Sequence, residues 1–284
     1  MHHTAVDFTL PGRAGRLAAR SKGLESRPRQ VVVLVQGANI SGQGGYDFSF
    51  PGGEDYSMMD MFIDRGIGAI TFSVRGYAKS DCPPDPLTID TDAAIEDLAS
   101  VMDWARDQGI ARPHLAGWSW GGRIAARYTE QHPERVNRLA LLDPALGGGN
   151  LIAPDPSDAW FTGGWNYFHD RLEAEFTDEA ARCALADFVT QHEPRSPNGI
   201  RRENARGSTP SSATAIYRPT LMIYGSAAGQ QNYMHGGLQR AHFFEALATD
   251  DKALMIIPGC GDYAHYQKPR RLYARCIADF LLAG

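Results

Sequence analysis

The stretch Gly117-Trp118-Ser119-Trp120-Gly121 constrains this chain more than any other, because it sets a serine in a G-x-S-x-G pattern between two unlike runs. Before it stands the strand-like His114-Leu115-Ala116. After it, Arg123-Ile124-Ala125-Ala126-Arg127-Tyr128 has helical composition and no breaker. A serine on so sharp a strand-to-helix turn is lifted above the sheet edge, and flanking glycines let backbone crowd it without Cβ clashes. The helix behind it supplies amides with no intrahelical acceptor, and that of Trp120 is placed to face a developing oxyanion. Ser119 is therefore a candidate nucleophile; the plainer alternative is a tight turn with an incidental serine.

The surrounding chain supports such a turn. Val31-Val32-Val33-Leu34-Val35 is a short β-branched run, as expected of a central strand buried on both faces. Met58 to Arg65 has the pattern of a helix stopped by Gly66, and Ala69 to Val74 that of the next strand. A helix over Asp90 to Gln108 puts Ile95, Leu98, Val101, Met102 and Ala105 on one face, with Thr91 or Asp92 as N-cap. Another strand covers Arg138 to Leu142 and ends at Asp143-Pro144. Alternation of this kind predicts a mostly parallel sheet flanked by helices.

From about 146 to 215 the alternation lapses. Glycine, proline and aromatic residues surround a single helical candidate, Leu172 to His192, preceded by Trp160, Phe161, Trp165, Tyr167 and Phe168. Strands resume at Pro219 to Gly225 and Ala253 to Pro258, and a last helix is expected over Arg270 to Leu282. The division that follows is 1–145 and 216–284 as two parts of one α/β core, with 146–215 inserted as a helical cap. No internal repeat is present.

Composition narrows the function classes. With 284 residues and 43% hydrophobic content the chain can bury a sizeable core. A net charge of −5 gives no electrostatic footprint for nucleic acid or anionic membrane. No basic segment followed by an apolar run marks the N-terminus, and no apolar run approaches the ~20 residues a membrane helix needs. The four cysteines are scattered without C-x-x-C spacing, which fits reduced thiols in a cytoplasmic protein. There is no metal-ligand motif and no phosphate-cradling glycine loop, so neither a metal nor a cofactor is expected.

Taken together, these segments resemble the α/β-hydrolase superfamily, in the form that carries a helical cap after its sixth strand. The likeness rests on the serine turn, the Arg75-Gly76-Tyr77 loop, the Pro219–Gly225 strand and Pro258-Gly259-Cys260-Gly261 before the last helix. It implies the α/β-hydrolase fold, a catalytic order of nucleophile, acid, histidine, and a second oxyanion amide after the Val31–Val35 strand. Three positions depart from that pattern. Where the family has His-Gly, this chain has Gln36-Gly37-Ala38-Asn39; the amide of Ala38 can still serve, while Gln36 either holds the loop or touches substrate, and Asn39 lines the same rim. The acid slot after the Pro219–Gly225 strand is Ala228, so Asp143, one strand earlier as in haloalkane dehalogenases, is the acid candidate. The histidine slot holds Asp262; the nearest histidine, His265, stands three residues on and is the candidate base, with Asp262 beside it.

The expected chemistry is hydrolysis of a small hydrophobic ester, lactone or related acyl compound. Ser119 attacks, His265 relays the proton, Asp143 orients it, and the Trp120 and Ala38 amides hold the oxyanion. Trp118, Trp160, Trp165 and Phe168 are expected to wall an apolar chamber. Because Asp262 occupies the histidine slot, two other readings stand beside this one. One is a non-hydrolytic lyase, cyclase or isomerase of the same fold; the other is a ligand-binding protein that retained the pocket.

Overall fold

The computed structural model describes residues 3–148, 155–228 and 240–283. The chain opens with a hairpin, β1 (Ala5–Gly12) and β2 (Gly15–Lys22), followed by β3 (Gln30–Val35), the short α1 (Gly42–Tyr46), α2 (Met58–Ile63) and β4 (Ile67–Phe72). Then come α3 (Thr91–Asp107), β5 (His114–Trp118), α4 (Trp120–Gln131) and β6 (Leu139–Leu142). After the inserted segment the core resumes with β9 (Thr220–Gly225), α8 (Arg240–Ala246), β10 (Lys252–Ile257) and α9 (Arg270–Leu282). The sheet runs β1-β2-β4-β3-β5-β6-β9-β10, antiparallel at the hairpin and parallel from β4 to β10. This is the α/β-hydrolase fold.

The strands alternate between two apolar layers. Val31, Val33 and Val35 face one core with α3 and α4 residues such as Leu98, Val101 and Ile124. Val32 and Leu34 face the other, where Met59 and Phe62 of α2 meet Tyr273 and Ile277 of α9. Burial on both faces explains why β3 is an unbroken apolar run with no polar stripe. β5 is buried along its whole length, so the residue after it, Ser119, is the first of that segment to reach half-exposure.

The inserted segment holds β7 (Trp160–Phe161), α5 (Gly164–Arg171), α6 (Glu179–His192), β8 (Ser196–Pro197) and α7 (Gly199–Arg206). Two expectations change here. The helix expected from Leu172 begins at Glu179, because Glu173–Phe176 closes a turn and Lys268 N–H donates to the Phe176 carbonyl, tying the segment to the core. Of the aromatic residues before it, Trp165, Tyr167 and Phe168 are helical in α5, while Trp160 and Phe161 form β7. In the core, α3 is capped by Asp90, whose side chain accepts from the Ala93 N–H, one position ahead of the expected Thr91 or Asp92. No helix among the described residues is long and apolar enough to cross a membrane.

Candidate active site

Ser119 has φ 55° and ψ −116°, a conformation L-residues rarely adopt, and sits at the N-cap of α4. Its neighbours make the turn possible. A Cβ on Gly117 would lie 2.1 Å from the Gly121 carbonyl oxygen, and one on Gly121 would lie 2.1 Å from that of Val35. The Ser119 N–H donates to the Leu142 carbonyl at 2.9 Å, and its carbonyl accepts from Gly122 and Ala145. The turn is thus clamped between β3 and β6, with the Trp120 amide in the first turn of α4, where no intrahelical acceptor exists.

The loop after β3 runs alongside. Gln36 is fully buried; its carbonyl oxygen accepts from the Val74 N–H at 3.0 Å and its amide donates to the Gly37 carbonyl. Gln36 therefore holds the loop. Ala38 and Asn39 remain half-exposed, the Ala38 carbonyl accepting from Tyr77 at 2.8 Å and the Asn39 amide donating to the Tyr167 hydroxyl of α5 at 3.1 Å.

Two carboxylates, buried Asp143 and half-buried Asp262, follow the ends of β6 and β10. Asp143, itself at φ 42°, accepts from the Gly225 N–H at 3.0 Å and the Tyr273 hydroxyl at 2.9 Å. Asp262 pairs with Arg240 at 3.6 Å, and its carbonyl accepts from the Trp118 indole at 2.8 Å. Burial pushes the Asp143 carboxyl up to about 7 and that of Asp262 up to about 6, Arg240 opposing the rise at both. One guanidinium nitrogen of Arg240 is buried with no hydrogen-bond partner among the described residues.

His265 lies elsewhere in character. It is 2% exposed and enclosed by aromatic rings, with centroids at 4.1 Å for Tyr266, 4.6 Å for Trp118 and 6.2 Å for Tyr46. Neither ring nitrogen has a hydrogen-bond partner among the described residues, and burial lowers its pKa to about 3. The charge of Asp262 thus adds to the rise at Asp143, while among the described residues no hydrogen bond joins His265 to either or to Ser119.

The aromatic residues expected to wall a chamber divide among several roles. Trp118 and Phe168 are core, at 3% exposure each. Trp165 is exposed, stacks on His169 at 4.6 Å and donates to Asp187, and Arg195 covers the Trp160 ring at 4.0 Å. Phe161 and Tyr167, by contrast, meet the cations nearest the Asn39 loop: Arg201 lies 3.8 Å over the Phe161 ring and Arg171 4.8 Å over that of Tyr167. The arginines of this region, Arg171, Arg201 and Arg240, escaped sequence reasoning because nothing local distinguishes them from surface charges. His169, Glu179 and Cys183 form the one grouping of possible metal ligands among the described residues, within 4.8 Å of each other on α5 and α6. Arg182 already bonds to Glu179 there at 2.5 Å.

A family profile described as the alpha/beta hydrolase fold matches residues 49–179. The chain is 32% identical over 130 residues to a 2-hydroxy-6-oxononadienedioate/2-hydroxy-6-oxononatrienedioate hydrolase of Escherichia coli K12, covering 45% of this chain and 41% of that one. A Paraburkholderia phymatum hydrolase of the same description is 30% identical over 132 residues, or 46% of this chain and 41% of the other. The chain's match thus spans about two fifths of the length of these relatives. Among solved structures, a serine hydrolase involved in carbazole degradation superposes with TM-score 0.70 at 19% identity, over 99% of this chain and 100% of that one. A Bacillus subtilis carboxylesterase gives TM-score 0.67 at 19% identity, over 99% and 93%.

Proposed function

We propose that this chain, which has the α/β-hydrolase fold and matches a profile of that fold over residues 49–179, is a serine hydrolase of small carbonyl compounds in which a carboxylate stands in the base's place. The observation that carries this reading is the strained, half-exposed Ser119 at the head of α4. Backbone strain of ~1–3 kcal/mol persists where surrounding structure holds it, and such residues cluster at functional sites.

In the proposed reaction the Ser119 oxygen attacks the substrate carbonyl carbon while its proton passes to a carboxylate. The negative charge that develops on the carbonyl oxygen is held by the Trp120 and Ala38 amides. Collapse expels the leaving group, which takes up the proton, and water then attacks the acyl-serine to release the acid. Asp262 is the acceptor the geometry favours. It occupies the histidine slot, it is anchored through Trp118, the residue before the nucleophile, and burial brings its pKa to about 6. A base is most effective when its pKa approaches the working pH. Glu173 adds to the proton affinity of Asp262 by charge repulsion; Arg240 and Arg171 limit it. Ester and lactone carbonyls fit this scheme directly; a ketone fits it only where the departing carbon carries a stabilised negative charge until it takes up the proton, and the two relatives are named hydrolases of an oxo-dienedioate.

Intact-mass labelling by a fluorophosphonate tests the reading on wild type, Ser119→Ala, Asp262→Asn and His265→Phe. Labelling at one site is expected, abolished in Ser119→Ala, slowed at least ~100-fold in Asp262→Asn, and little changed in His265→Phe. Slowing in His265→Phe alone would return the base to His265. No labelling of folded wild type would remove the hydrolase reading in favour of a non-hydrolytic or ligand-binding role; what favours that second reading is the absence of an imidazole bonded to Ser119 among the described residues.

A further inference from the structure

We infer that Arg201, with Asn39, is the seat of a carboxylate-class anionic group on the ligand of this site; that the ligand is a substrate rests on the hydrolase reading above. Arg75, Arg123 and Arg138, the buried arginines among the described residues, each have carboxylate partners, namely Asp97 and Glu96, Glu203, and Asp251 respectively, and half-buried Arg20 has Asp7 and Asp47. Arg201 has none within ion-pair distance among the described residues, and the segments 149–154 and 229–239 contain no Asp or Glu. Its hydrogen bonds go to neutral acceptors, namely Ser196 Oγ at 3.5 Å, the Pro197 carbonyl at 3.3 Å, Asn198 Oδ1 at 3.2 Å, and Asn39 Oδ1. Loss of water around the guanidinium pushes its pKa down, with three tyrosines, Tyr77, Tyr167 and Tyr263, as its electrostatic neighbours in place of a counter-ion. A planar guanidinium held this way offers two parallel donors to a carboxylate once one enters.

Placement supplies the rest. Asn39 follows Ala38, so Arg201 is tied directly to the loop proposed to supply an oxyanion amide. Arg201 lies on α7, and α7 is fixed to the core. A Cβ on Gly199 would lie 2.2 Å from the Ile89 carbonyl, Glu203 accepts from both the backbone and the hydroxyl of Thr91 at 2.8 and 2.6 Å, and Arg123 bonds to Glu203 and Asn204. The cation is therefore held in position before any ligand arrives, which reduces the ordering cost of binding.

Two measurements on the full chain decide the point. Calorimetry on Ser119→Ala protein compares glutarate, glutaramide and inorganic phosphate, with Arg201→Gln and Arg201→Lys built on the same background. Glutarate is expected to bind, glutaramide not to, with affinity at least ~10-fold weaker in Arg201→Gln and partly restored in Arg201→Lys. Phosphate binding as tightly as glutarate and competing with it would overturn the carboxylate assignment in favour of a general phosphate site. Glutarate binding that is absent, or equal in Arg201→Gln of unchanged melting temperature, would overturn the seat itself. In Ser119-intact protein, 4-nitrophenyl glutarate is compared with uncharged 4-nitrophenyl butyrate. The expected result is a rise in KM of ~10-fold or more for the charged ester alone in Arg201→Gln. Equal losses on both esters would mean a merely structural arginine. Hydrolysis of neither ester by wild type, alongside Arg201-dependent glutarate binding, would sink the hydrolase reading and leave the anion seat standing.

Discussion

The φ of 55° at Ser119 is maintained by contacts that leave room for hydrogen alone on either side. Gly121 packs on the Val35 carbonyl and Gly117 on that of Gly121, so a methyl at either position meets backbone, which cannot swing aside as a side chain can. Gly121→Ala is expected to destabilise the fold by ~3 kcal/mol or more through forced displacement of β3 from α4. Urea unfolding measures it; a loss below ~1 kcal/mol would show that the two elements slide apart freely. These residues were legible in the sequence because their constraint is local: serine and glycines stand within five positions of one another. Arg201 and Arg240 were not, since what sets them apart is the neighbours they meet, neutral acceptors for the one and Asp262 for the other, and those are fixed only when distant segments come together. The same reason separates Gln36, buried and bonded to Val74, from half-exposed Asn39 three residues on.

At the scale of elements, the clearest unit is the junction of α3, α4 and α7 behind the nucleophile. Arg123 is 1% exposed and bonds to Glu203, Asn204 and the Ala145 carbonyl, while Glu203 also caps Thr91 at the start of α3. Removing Glu203 leaves a buried guanidinium short of the carboxylate it pairs with among the described residues. Glu203→Ala is expected to cost ~3–5 kcal/mol, the range for breaking one partner from a buried pair. The double variant Glu203→Ala/Arg123→Met is expected to recover part of it, and a thermal melt showing no recovery would place the loss in the Thr91 cap. Helix termini were the weak part of the sequence reading. Apolar spacing in α6 continues back to Leu172, yet tertiary bonds to Phe176 and the Thr177-Asp178 start keep residues 172–178 out of the helix. Periodicity reports which face is buried and says little about where hydrogen bonds to other elements end the run.

For the whole molecule, two buried titrations oppose each other. His265 stays neutral in the fold with a pKa near 3, so below its unfolded value of 6.5 only the unfolded chain takes up the proton, and stability falls as pH drops from there toward 3. Asp143 does the reverse. Its folded pKa of about 7 exceeds the ordinary 3.8 of an aspartate, the fold binds the extra proton, and stability falls as pH rises through that window. Each contributes up to ~1.4 kcal/mol per pH unit. His265→Phe is expected to flatten the acid side of a stability–pH curve, and Asp143→Asn to raise stability above pH 7 relative to wild type. Parallel curves for variants and wild type would contradict both assignments. The parallel sheet and its flanking helices were readable from alternation and from the two-faced burial of β3, because every strand repeats the same demand. The inserted segment carries no such repetition; among its described elements only α6 was expected, with a later start, while α5, α7 and the two short strands were not.

Glu193, at the end of α6, grips Ser41 through both the backbone N–H, at 2.7 Å, and the hydroxyl. Ser41 in turn begins α1, two residues beyond Asn39. The insertion thus shares hydrogen bonds with the strip of backbone that bears the Ala38 amide. With the bonds that join Tyr167 and Arg201 to Asn39, the segment inserted between β6 and β9 and the loop after β3 form one hydrogen-bonded piece, so that, on the proposed reading, whatever shifts the one strains the part that would hold the developing charge.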